Sequence, residues 1–131
     1  MKLINLLSVV LVCCSWMTSA FAGDYDGSQP LICATVEARD CVLRDTCFSG
    51  NPGELGAPAF IRIDFKKKLL KGEEITSPIL NMASQENQLI LQGTELDFGW
   101  TFSLEQASGK FAASLTNAEG AFLLYGSCTP E

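Results

Sequence analysis

After residue 30 the chain alternates apolar and polar residues with a period of two, over several separate stretches. Side chains that recur every second position share one face of a strand, so the pattern predicts β structure. Residues 31–38 put Ile32, Ala34, Val36 and Ala38 on one face, with Thr35 and Glu37 on the other. Residues 39–58 read as a long loop, with room for one short helical turn at its start, because Gly, Pro and Asn cluster in its second half. Residues 59–66 alternate again, Ile61, Ile63 and Phe65 against Arg62, Asp64 and Lys66. Residues 75–82 form a weaker strand. Pro78 lies inside it, and a residue without an N–H belongs on an edge or at a bulge. Residues 89–92 make a short strand ending at Gly93.

The strongest period-two signal is Phe98, Trp100, Phe102 and Leu104. Phe111, Ala113 and Leu115 continue it beyond a turn at Ala107, Ser108 and Gly109. Residues 121–128 are apolar on both faces and therefore predict a central strand. The last three strands recur about every 11 residues with short glycine-containing turns, the spacing of antiparallel hairpins. No apolar period of helical length follows residue 22. The expected fold is all-β: a small antiparallel meander of about seven strands, closed as a barrel or a two-sheet sandwich.

The first residues are of another kind. Lys2 precedes an apolar run over residues 3–12, broken only by Asn5 and Ser8, and Ala20-Phe21-Ala22 ends the segment with small residues around a larger one. This is the layout of a cleavable export signal. Residues 1–22 are expected to be removed after Ala22, leaving a single β domain over residues 23–131. Lipid attachment at Cys13 or Cys14 is the alternative, but neither follows the small residue such processing prefers.

Export changes the meaning of the remaining cysteines, Cys33, Cys41, Cys47 and Cys128. An even number outside the cytoplasm reads as two disulfides. Of the three pairings, Cys33–Cys128 with Cys41–Cys47 is favoured. It ties the first strand to the last and closes a small loop. A site for one metal ion made of all four is the alternative, without the close cysteine pairs or the histidine that structural zinc usually has.

Composition narrows the chemistry. The 131 residues include no histidine, which removes the commonest general base and metal ligand. A net charge of −6 with only 9 Lys and Arg lacks the basic surface that nucleic acid requires. No glycine-rich phosphate loop and no other cofactor motif is present, so no cofactor is expected. Carboxylate pairs, Asp40 with Asp45 and Glu95 with Asp97, are the remaining route to acid/base catalysis. They fall in predicted loops, where acids are ordinarily just solvated, and the chain is read as a non-enzyme. The run Lys66, Lys67 and Lys68, with Lys71, reads as edge protection at a hairpin end, partly neutralised by Glu73 and Glu74. Two candidate binding features remain. Trp100 and its neighbours either pack the core or line a pocket for an apolar ligand; a buried Trp100 would need a partner for its indole N–H. Ser108, Gly109 and Lys110 form a hairpin turn able to act as a recognition loop.

Trp100, the Ser108-Gly109-Lys110 turn and the closing Tyr125-Gly126-Ser127-Cys128-Thr129 together resemble a group of small exported bacterial proteins, which implies a periplasmic or secreted β domain. Ser108 and Gly109 are also similar to the opening of the Ser-Gly loop of periplasmic lysozyme inhibitors, which are disulfide-tied β-barrels. Phe111 stands where those proteins tend to carry tyrosine, and Trp100 precedes the loop where theirs follows it. The expected function is non-enzymatic binding of an envelope or extracellular component, a protein or a small apolar ligand, by a mature chain with no transmembrane segment. The alternative is an enzyme inhibitor acting through the turn at Ser108, Gly109 and Lys110.

Overall fold

A computed structural model describes residues 24–131; the expected export signal over residues 1–22 lies outside the described residues. The chain forms β1 (Leu31–Val42), β2 (Phe48–Gly50), a 3-10 turn (Pro52–Leu55), β3 (Phe60–Asp64), β4 (Leu69–Lys71), β5 (Thr76–Pro78), β6 (Asn81–Gln85), β7 (Gln88–Glu95), β8 (Phe98–Glu105), β9 (Lys110–Thr116) and β10 (Gly120–Pro130). All pairings are antiparallel, in the order β5-β4-β3-β1-β10-β9-β8-β7-β6, with β2 added beside β1.

This is one curled sheet, a half-barrel, not a two-sheet sandwich. The two ends of the strand order are consecutive in the chain, and the corner between them draws the sheet together. Ile79 donates its N–H to the Lys68 carbonyl beside β4 at 2.9 Å, and the next residue, Leu80, donates to Gln92 of β7 at 2.8 Å. Pro78 stands just before this corner, at the edge position its missing N–H calls for. The weak strand expected over residues 75–82 is therefore two strands, each serving a different end of the sheet.

Inward residues of every long strand fill the concave side. Leu31, Cys33, Ile63, Leu91, Phe102, Leu104 and Leu124 are almost wholly buried. Phe102 and Phe111 stack with ring centroids 4.5 Å apart. Both favoured disulfides are present, Cys33–Cys128 and Cys41–Cys47. Cys33 and Cys128 lie opposite each other in the β1–β10 ladder, so the bond joins the first and last long strands as expected.

The structure differs from the sequence reading in four further places. Alternation in β1 does not keep one face: Leu31, Cys33 and Thr35 point inward, a bulge between Thr35 and Glu37 adds a residue, and Ala38 turns in after it. Val36, the extra residue, is left 72% exposed. The predicted loop over residues 39–58 holds the end of β1, the strand β2 and a 3-10 turn that comes late, not at the start; the Cys41–Cys47 bond closes the β1–β2 connection. The charged stretch after Phe65 contains a further strand, β4; with β2 and the division of residues 75–82 into β5 and β6, the described residues hold ten strands and not about seven. Finally, Lys66, Lys67 and Lys68 occupy the β3–β4 turn, while Glu73 and Glu74 lie between β4 and β5, at the other end of β4. Neither glutamate neutralises that lysine run.

Candidate functional site

In an antiparallel meander, turns gather at two opposite ends of the barrel. At one end are the β3–β4, β6–β7 and β8–β9 turns. The segment before β1 covers this end. Tyr25 packs against the core, Gly27 lies beside Leu89 and Phe65, and a side chain on Gly109 would run into the Tyr25 ring at 2.5 Å. The Ser28 hydroxyl and backbone N–H, both donating to Asp26, hold that carboxyl below its ordinary pKa and brace the strap locally.

The other end is open. Between the β4–β5 turn, the end of β7, the start of β8 and residues 53–58 lies a cavity of about 370 Å³. Its floor and walls are apolar: Ile61, Trp100, Phe102, Ala113, Leu115 and Leu124. Glu73, Glu74 and Glu95 also line it, and no lysine or arginine does. Glu73 and Glu74 are exposed and Glu95 is half-buried, so the carboxylates stand at the mouth.

Trp100 is placed here by two neighbours that the alternation pattern could not name. Gly93 faces it across the β7–β8 ladder and, lacking a side chain, lets the indole lie flat over β7. Ser77 of β5 accepts the indole N–H at 2.8 Å and passes its own hydroxyl to the Thr94 carbonyl at 3.1 Å. The buried Trp100 thus has the partner it requires, and the chain Trp100–Ser77–Thr94 holds β5 against β7 at the seam.

Ser108, Gly109 and Lys110 are at the covered end, far along the barrel from Trp100, so the four candidate residues do not form one site. Gly109 has a positive φ of 74° and is buried. It donates to the Glu105 carbonyl and accepts from Cys128 N–H at 2.8 Å. The Ser108 hydroxyl bonds to the Glu105 carboxylate and also accepts Lys110 N–H. The turn is pinned to the sheet and roofed by Tyr25, with Ala107, Ser108 and Lys110 exposed.

The carboxylate pairs lie around the β1–β2 connection and the β7–β8 turn. Asp40 is on β1 opposite Phe122 and Asp45 is exposed in the β1–β2 connection. Glu95 ends β7 and Asp97 lies in the β7–β8 turn, where it accepts a hydrogen bond from the Asn117 amide at 3.3 Å. Among the described residues, no group of three Cys, Asp or Glu side chains is disposed to hold a metal ion, and no helix is long and apolar enough to cross a membrane. The sequence reading does not single out Ser77, and it assigns Glu73 and Glu74 to the lysine run and Glu95 to a pair with Asp97. Alternation reports which face a residue is on, not which strand lies across from it. Comparison of the chain with family models, with curated proteins and with solved structures finds no match.

Proposed function

We propose that this protein is an exported, non-enzymatic binding module that holds a small apolar ligand in the open end of its half-barrel. The observation that carries the reading is the cavity itself. Its volume of about 370 Å³ falls at the small end of the range for ligand pockets, roughly 300–1,000 Å³. Its apolar lining surrounds an indole whose N–H is already satisfied, so the pocket offers a wall and demands no polar partner. The two disulfides belong to an oxidising, non-cytoplasmic compartment. Together with the signal pattern over residues 1–22 they support a periplasmic or secreted protein, cleaved after Ala22.

The resemblance to lysozyme inhibitors supports a second reading, inhibition through Ser108 and Lys110. The pinned and roofed turn favours the cavity instead, because a cleft-plugging loop must protrude.

Trp100 is the single tryptophan among the described residues and lines the cavity, so it reports directly. Titration with 1-decanol is expected to shift its emission saturably at one equivalent. Ala113→Phe, which fills the cavity from β9, is expected to abolish the response with circular dichroism unchanged. A linear, non-saturating response, or one that survives Ala113→Phe in the folded protein, contradicts the proposal.

A further inference from the structure

We infer that the cavity selects a single-chain cationic amphiphile, its apolar chain on Trp100, Phe102 and Leu124 and its ammonium head between Glu73, Glu74 and Glu95. This rests on the ligand-binding reading above and adds the charge and shape of the ligand. Three observations carry it.

The first is the sign of the mouth. Three carboxylates line the cavity and no cation does. The ion pairs among the described residues are Arg39 with Glu37 and Arg62 with Glu131, so none of the three is engaged in one. Lys66, Lys67 and Lys68 are at the far end of β4; Lys71, which ends β4 two positions before Glu73, is the basic residue nearest the mouth in sequence and does not line the cavity. An anionic head would meet like charge here, on a chain that is already at −6 overall.

The second is the division of the surface. The carboxylates come from the β4–β5 turn and the end of β7, above a wall made by inward residues of β3, β8, β9 and β10. An entering molecule meets charge first and apolar surface behind it, which matches a head and a tail. An ammonium has three donors and no acceptor, the complement of carboxylate oxygens.

The third is size. At about 30 Å³ per water-sized group, a cavity of about 370 Å³ has room for roughly a dozen heavy atoms. That matches one medium alkyl chain.

The test compares n-decylammonium, 1-decanol and decanoate, nearly equal in length and differing in charge, by calorimetry and Trp100 emission at neutral pH and low salt. Decylammonium is expected to bind about tenfold more tightly than decanol, and decanoate more weakly than either. The preference is expected to shrink at about 0.5 M NaCl, since charges at an open mouth are screened. The triple variant Glu73→Gln, Glu74→Gln and Glu95→Gln is expected to bring decylammonium to the affinity of decanol and leave decanol unchanged. Ala113→Phe is expected to abolish all three, which separates the cavity from detergent-like adsorption on an acidic surface. Equal or tighter binding of decanoate, or a preference that survives the triple variant, overturns the inference while the ligand-binding reading stands. If none of the three binds, both fall together.

Discussion

Gly93→Ala is the sharpest small change for probing how this barrel is closed. The added methyl group would overlap Trp100 Cζ2 and lie 2.5 Å from the Pro78 carbonyl oxygen. One obstacle is a ring and the other is backbone at the corner that joins the two ends of the sheet, so neither yields cheaply. Overpacking of this kind costs about 1–3 kcal/mol. If the indole moves off Ser77, its buried N–H loses its acceptor, at about 1–3 kcal/mol more. Against this, alanine restricts the unfolded chain more than glycine does, worth about 0.4–1 kcal/mol in favour of the folded state. Steric and polar costs win, and the expected net loss is about 2–4 kcal/mol. Urea unfolding followed by circular dichroism measures it as a lower midpoint at constant slope. A double-mutant cycle with Trp100→Phe locates the cause. Phenylalanine removes the Cζ2 overlap but not the Pro78 one, so Gly93→Ala should cost at least about 1 kcal/mol less in that background, though not nothing. A loss below about 0.5 kcal/mol in the wild-type background, or strict additivity in the cycle, would refute the reasoning.

Further outcomes follow from the same geometry. The Cys33–Cys128 bond spans 95 residues of sequence and the Cys41–Cys47 bond only 6; on a chain-entropy basis, replacing the first pair with alanine should cost about 4–5 kcal/mol and the second about 2. Equal midpoints for the two double variants would argue against that ranking. Ser77→Ala leaves the buried Trp100 N–H unpaired and should cost about 1–3 kcal/mol in the same assay, with a change in Trp100 emission; an unchanged midpoint would remove Ser77 from the seam. The Thr35 hydroxyl is buried next to the β1 bulge with no hydrogen-bond partner, so Thr35→Val should be neutral or raise stability by up to about 1 kcal/mol, and a marked loss would mean that the hydroxyl is satisfied in solution.

Where the alternation was uninterrupted, sequence and structure largely agree, with Phe98 left half-buried beside Phe122. Trp100, Phe102 and Leu104 face the core, as do Phe111 and Ala113, and β10 is central in the strand order as expected, although Tyr125 on its other face is exposed. The disulfide pairing was legible for a related reason, since it required only that the first and last long strands be neighbours. What escaped depends on contacts distant in sequence or on a change of phase. A single inserted residue at Val36 switches the inward face of β1, and two-residue periodicity cannot signal where an insertion falls. Strand β4 has three residues, too few to establish a period. The role of Ser77 depends on β5 lying against β7, which no local pattern encodes. The mouth carboxylates were visible as charges, but which end of the barrel they occupy depends on strand direction, and that separates Glu73 and Glu74 from the lysines a few positions earlier.

The most direct measurement of the central claim is the site of contact between a small apolar ligand and the folded protein. Isotope-filtered nuclear Overhauser spectra of the labelled protein with unlabelled 1-decanol would record it. The account predicts contacts from the alkyl chain to the Trp100 indole, the Phe102 ring and the Leu124 methyl groups, all lost in Ala113→Phe. Contacts confined to Ser108, Lys110 and the covered end, or to the outer face around Val36, would contradict it.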